Sequence, residues 1–138
     1  MESIHNLERE IKETIREIGQ RLNYNAFNLG EVELKSSNDP VTELDLSTER
    51  ELIQRISELG CFEIIAEESG HSKKSNARYI AHIDPIDGTK SFAFRSFESS
   101  IGVGFEDKEN RGKTVFGVVY DFMRDIMYVG SQETGLTQ

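Results

Sequence analysis

Apolar residues near the start of the chain recur at helical spacing: Ile4, Leu7, Ile11, Ile15, Ile18 and Leu22, with Glu, Lys and Arg between them. Side chains three and four apart share one face of a helix, so the stripe predicts an amphipathic helix of about five turns. Gly30 marks the loop after it. A second stripe, Leu52, Ile53, Ile56 and Leu59, closes at Gly60, a residue suited to end a helix. Ahead of that stripe, Asn38-Asp39-Pro40 signals a turn, and Thr42-x-x-Asp45 has the form of a helix-capping box.

The period then changes. Phe62 to Ala66 and Tyr79 to Ile83 read as buried strands, with a polar surface loop from Ser69 to Asn76 between them. Ile101, Val103 and Phe105 alternate, and β-rich runs follow at Val115 to Tyr120 and Ile126 to Val129. Turn-rich segments, Glu106 to Lys113 and Asp121 to Asp125, separate the three, which predicts an antiparallel meander. Helices precede strands, so the expected class is α+β: two amino-terminal helices packed on a largely antiparallel sheet. A chain of 138 residues fits a single domain, 1–138, with a core that needs neither disulfide nor metal.

Composition narrows the function. With 36% apolar and 30% charged residues, the chain is expected to fold with a well-solvated surface. A formal net charge of −9 and the lack of a basic stripe argue against nucleic acid as a partner. The same charge would repel a small phosphate ester unless a bound cation reversed the local field. Cys61 is the only cysteine, so no internal disulfide forms and a reducing compartment is expected. Its place before an apolar strand reads as a small core residue. No stretch has the length of a membrane span, and the N-terminus alternates charged with apolar residues, unlike a signal peptide. The expected location is therefore the cytoplasm, with no membrane partner. His5, His71 and His82 show no zinc spacing. His82 reads as a hydrogen-bonded core residue and His71 as a solvated one.

Candidate chemistry concentrates at Asp84-Pro85-Ile86-Asp87-Gly88-Thr89. Pro85 forces Asp84 into an extended conformation, and a tight turn opening a short helical segment would bring Asp84 and Asp87 to one side. Gly88 would let the backbone approach a ligand, with the N–H groups of Gly88 and Thr89 aimed at an anion. Two carboxylates held together are unfavourable unless a cation sits between them, and Mg²⁺ is the hard, oxygen-preferring candidate. Glu67-Glu68 ends one expected strand and Asp84 ends the next. If those strands are neighbours, three carboxylates converge, the inventory a two-metal phosphoryl-transfer site needs. Taken singly, Asp-Gly-Thr is an ordinary turn, Glu67-Glu68-Ser69-Gly70 a solvated turn, and Asp45 a helix-start residue. Their joint occurrence singles them out.

These segments, with Lys35 to Asp45 upstream and Phe116-Gly117-Val118-Val119-Tyr120 and Met127-Tyr128 downstream, resemble the inositol monophosphatase family of lithium-sensitive, Mg²⁺-dependent phosphatases in order and spacing. The resemblance implies a layered sandwich like that of fructose-1,6-bisphosphatase, of which this chain is the amino-terminal metal-binding part. It implies that Glu67, Asp84 and the Ile86 carbonyl hold a first Mg²⁺, and that Asp84 and Asp87 hold a second. Asp45 and Thr89 would orient and activate the attacking water, with Glu67 supporting it. Gly88 and Thr89 would hold the phosphate through their N–H groups, and Glu68 and Lys35 would stand close by. Mn²⁺ would substitute for Mg²⁺, and Li⁺ would inhibit. The expected reaction is hydrolysis of a small phosphate monoester, an inositol or sugar monophosphate. Lys90-Ser91 after Thr89 also looks like histidinol-phosphate or 3'-phosphoadenosine 5'-phosphate phosphatases.

The family's later half carries a further metal-binding Asp, usually after a Trp, and this chain has no Trp. The resemblance therefore implies a weaker second metal and an open substrate wall. It leaves three expectations: a hydrolase completed by a homodimer or a missing-half partner, a non-catalytic binding or regulatory partner, or a folded fragment with no cellular role of its own.

Overall fold

The computed structural model describes residues 2–28, 43–88, 98–110 and 112–138. Gly30, Lys35, the Asn38-Asp39-Pro40 turn, Thr42, Thr89 and Lys90-Ser91 lie outside the described residues.

Helix α1 runs Glu2–Asn28 and α2 runs Glu43–Leu59. The expected stripe is the buried face of α1: Ile11, Ile15, Ile18 and Leu22 are each at most 4% exposed. On α2 the buried face differs from the apolar stripe. It reads Asp45, Thr48, Glu49, Leu52 and Ile56, polar at the first turns and apolar further on. Leu59 is exposed at the helix end.

Seven strands follow among the described residues: β1 Phe62–Ala66, β2 Gly70–Ser72, β3 Tyr79–Asp87, β4 Ser100–Asp107, β5 Lys113–Asp121, β6 Ile126–Ser131 and β7 Gly135–Thr137. They form one sheet in the order β2-β1-β3-β4-β5-β6-β7. Among the described residues, only β1 and β3 pair in parallel; the remaining neighbours are antiparallel. The expected α+β class, two helices on a largely antiparallel sheet, is the architecture found.

Side chains alternate across a sheet, so register decides which residues share a face. Ala66, Ile83, Val103, Val118 and Val129 form one row across five strands. Ile64, Ala81, Phe105 and Phe116 form the next. All are buried, and with α1 and α2 they make the core. Phe105 stacks on Phe116 with ring centroids 4.8 Å apart and meets Phe62 edge-on at 5.3 Å.

Four expectations are corrected. The polar stretch after Ser69 contains a strand, β2, which pairs with β1 while all its residues stay exposed. Asp84-Pro85-Ile86-Asp87 opens no helical turn; it continues β3, with a bulge between Asp84 and Asp87. Pro85 has no N–H to give a ladder, and a bulge is where a strand tolerates that. His82 is exposed, its Nε2 2.9 Å from Glu106 Oε2, because it points away from the helices. Cys61 is exposed too, since it precedes the first ladder position, Phe62. His71 is exposed as expected, but its Nε2 is paired with Glu63.

Candidate functional site

β1 and β3 lie side by side in parallel, from Phe62 opposite Tyr79 to Ala66 opposite Ile83. Their carboxyl ends therefore open at the same sheet end. Glu67 follows directly on β1, and its N–H donates to the Ile83 carbonyl at 3.2 Å, one residue before Asp84. The neighbour relation that the convergence required is present.

Asp84 is half-buried, while Glu67 and Asp87 are exposed at the rim. The Asp84 pKa is pushed up to about 7. Burial is the main cause; next come hydrogen bonding with Glu67 and the charges of Glu67, Asp87 and Asp45. Asp84 Oδ1 is buried and has no hydrogen-bond partner. Beside burial, the facing carboxylates contribute to both facts. A carboxylate offers no donor to another carboxylate, so two ionised groups facing each other stay unsatisfied unless a proton or a cation lies between them.

The bulge sets this arrangement. Asp84 pairs with Gly102 and Asp87 with Ser100, so three steps on β3 match two on β4. Across an unbulged ladder, residues three apart face opposite sides; the extra residue relaxes that rule. Gly102 opposite Asp84 has no side chain, and a Cβ there would stand 3.7 Å from the Asp84 Cβ.

Gly88 ends the strand in a left-handed conformation, φ +79°. A Cβ on it would meet the Glu98 carbonyl oxygen at 2.2 Å. Its close approach is thus first to the chain itself, and Ser99 Oγ donates to the Gly88 carbonyl at 3.2 Å. The Ile86 side chain is 1% exposed and belongs to the core. Asp45 is also 1% exposed, carried into the interior by the first turn of α2. Glu68 is half-buried. Thr89 and Lys35 fall among the residues not described.

One residue that sequence reasoning passed over belongs here. Glu49 is 2% exposed, one helical turn after Asp45 on the same face of α2. Its carboxylate accepts the N–H of Glu68 at 2.8 Å and the N–H of Ser69 at 2.9 Å. A mid-helix glutamate in a charged sequence reads as solvated, and only the packing of α2 reveals otherwise.

Among the described residues, no three Asp, Glu, His or Cys side chains already stand as a ready cage for a metal ion. What the site does offer is oxygen donors alone, an orphaned buried Oδ1, and a carboxyl whose charged form its neighbours disfavour. That donor set fits a hard divalent cation. None of the described helices is long and apolar enough to cross a membrane.

Comparison with known proteins gives the family and the fold. The model of the inositol monophosphatase family matches residues 4–138. The chain is 37% identical over 122 residues to an inositol-1-monophosphatase of Bacillus subtilis, covering 85% of this chain and 44% of that protein. It is 34% identical over 126 residues to inositol monophosphatase 1 of Mus musculus, covering 87% and 44%. It is 32% identical over 114 residues to the Nus factor SuhB of Escherichia coli K12, covering 82% and 42%. Among solved structures, the Thermotoga maritima IMPase superposes with a TM-score of 0.78 at 26% identity, covering 96% of this chain and 50% of that one. The suhB protein of Bartonella henselae gives 0.79 at 20% identity, with the same coverage, a likeness of fold. The chain spans about half the length of the relatives it matches.

Proposed function

The chain belongs to the inositol monophosphatase family, and from that membership we propose that its carboxylate cluster is the cation-binding part of a phosphomonoester hydrolase. The observation that carries the reading is Asp84: a half-buried carboxyl with an orphaned oxygen, pressed by Glu67, Asp87 and Asp45.

In this reading Glu67, Asp84 and the Ile86 carbonyl hold one Mg²⁺, and Asp84 and Asp87 a second, with Mn²⁺ as a substitute and Li⁺ as an inhibitor. A bound divalent cation supplies electrophilic charge that stabilises the phosphoryl oxygens and makes a nearby water more acidic. The chain's own groups do the positioning. Asp45, with Thr89, would orient and activate the water, and Glu67 would support it. The N–H groups of Gly88 and Thr89 hold the phosphate, and Glu68 and Lys35 tune the surrounding charge. The proposed substrate is an inositol or sugar monophosphate and the proposed location the cytoplasm; histidinol phosphate and 3'-phosphoadenosine 5'-phosphate are the substrates to test beside it. With about half of the relatives' length matched, efficient turnover is proposed to require further polypeptide, whether a second copy or a complementing half.

A second reading is binding without turnover. It is favoured by one observation, that several relatives bear the name Nus factor SuhB. One experiment separates the readings: titrate Mg²⁺ and Mn²⁺ calorimetrically, then measure phosphate release from a panel of monoesters with and without Li⁺. Cation-dependent release that disappears in Asp84→Asn supports the hydrolase. Heat of binding without release, even when the carboxyl-terminal half of a full-length relative is added to the chain, supports the second reading. Neither heat nor release would remove the cation site and both readings with it.

A further inference from the structure

We propose that Glu49 is the positioning residue of the cation site, a buried carboxylate that holds the turn after β1 in the shape that turns Glu67 toward Asp84. The inference rests on the cation-site reading above and assigns that site a residue from α2.

The geometry carries it. Glu67 is pinned from both sides. Its own N–H is held by the Ile83 carbonyl of β3. The next two N–H groups, those of Glu68 and Ser69, converge on the two oxygens of Glu49, at 2.8 and 2.9 Å. Three consecutive backbone N–H groups are thereby fixed, and with them the direction of the Glu67 Cα–Cβ bond. The β1/β2 pairing closes the turn from Ala66 to Gly70, but the N–H groups of Glu68 and Ser69 inside it are held by Glu49.

A buried carboxylate is a costly way to satisfy two amides that could face water at a rim. Its use is explained by where it stands. Glu49 and Asp45 are four residues apart on one helical face, both at most 2% exposed. The same stretch of α2 thus sets the backbone of Glu67 and adds its own carboxylate to the field at Asp84. A rigid helix then fixes two parts of one site relative to each other, which loops alone would leave loose. Groups that orient a ligand contribute to cation affinity without touching the cation.

The test compares the wild-type chain with Glu49→Gln and Glu49→Asp, and with Leu52→Ala as a control. Leu52 is fully buried on the same helix and contacts no group of the turn by hydrogen bond. Gln keeps the size of Glu but puts an NH₂ donor against one of the two amides. Asp keeps the carboxylate and withdraws it by one methylene. Two readouts are taken well below each variant's melting temperature: amide hydrogen exchange at Glu68 and Ser69 without metal, and Mn²⁺ affinity by calorimetry. Both Glu49 variants are expected to exchange these two amides faster and to bind Mn²⁺ about 10- to 100-fold more weakly. Leu52→Ala, though destabilised, is expected to keep the wild-type Mn²⁺ affinity. If the Glu49 variants keep protected amides and wild-type affinity, or if Leu52→Ala loses as much affinity, the positioning role is overturned. If the wild type itself binds no Mn²⁺, the cation-site reading fails first, and faster exchange in the Glu49 variants then shows a turn clamp without a cation to serve.

Discussion

At Asp84 the chain keeps a carboxyl in surroundings that disfavour its charge. A carboxyl whose pKa rises on folding binds protons more readily in the folded state than in the unfolded one. Stability then falls as pH rises, from the ordinary Asp value of about 4 up to the folded value. With the Asp84 pKa pushed up to about 7, this penalty is absent in acid, grows through that window and is complete above it. Asp84→Asn removes the titrating group. The variant is therefore expected to be more stable than the wild type at pH 8 in EDTA, with the gap closing as pH falls toward 4. Excess Mg²⁺ stabilises only the chain that binds it, so it should narrow or reverse the gap at pH 8. Urea midpoints across pH, with and without Mg²⁺, measure this; a gap that ignores pH would contradict the crowding of carboxylates. Gly88 supplies a second residue-scale prediction. Gly70 and Gly88 have nearly the same φ, +77° and +79°, but a Cβ on Gly70 meets nothing within 4 Å while one on Gly88 meets the Glu98 carbonyl oxygen. Gly70→Ala is expected to cost about 1–2 kcal/mol for its left-handed backbone. Gly88→Ala should cost about 1–3 kcal/mol more for the overpacking, read by the same denaturation curves.

Between elements, acidic side chains tie the sheet's far end together. Arg78, just before β3, donates to both oxygens of Asp107 at the end of β4, at 3.1 and 2.8 Å. The guanidinium beside Asp107 holds that carboxyl below the usual carboxylate range. Glu63 on β1 is lowered likewise, first by Lys108 and then by His71. A group whose pKa falls on folding adds stability above its unfolded value, and that stability is lost as pH drops through the folded one. Arg78→Gln is accordingly expected to be less stable than the wild type at pH 6, with the difference vanishing below the ordinary carboxylate range. Denaturation at pH 6 and in that acid range tests it; a difference that persists in acid would assign Arg78 a packing role. How far these elements were legible follows from what holds each one. α1, β1, β4, β5 and β6 bury apolar side chains at a fixed period, and the period is visible in Ile11, Ile15 and Ile18 or in Ile101, Val103 and Phe105. β2 and β7 are held by backbone pairing, expose every side chain, and leave no period to read. Glu67, Asp84 and Asp87 could be singled out as candidates by their order along the chain, although Asp84 stands inside β3 rather than at its end. Glu49 could not, since its role comes from a hydrogen bond across 19 and 20 positions of sequence. The bulge at Asp84 escaped for a related reason: it is a mismatch between two strands, which neither strand encodes alone.

Across the whole molecule, the sheet presents two unlike faces. One packs under α1 and α2. On the other, register aligns Asp84, Gly102, Val119 and Tyr128 in one row and His82, Gly104, Gly117, Gly130 and Leu136 in the next. Val119, Tyr128 and Leu136 are 46%, 37% and 77% exposed. The acidic site thus opens beside a glycine-rich surface. Two adjacent valines report on the faces separately. Val118 is 1% exposed and packs in the core row, whereas Val119 points the other way. Val→Thr changes little in shape but places a hydroxyl where a methyl stood. At Val118 that hydroxyl enters the core, and a loss of about 1–3 kcal/mol is expected. At Val119 the hydroxyl meets water, so the change should stay within about 0.5 kcal/mol. Thermal and urea denaturation of the two variants read the difference directly. Equal losses at both positions would mean that the second face is buried in solution as well, and the picture of a one-sided core would give way to a sheet covered on both sides.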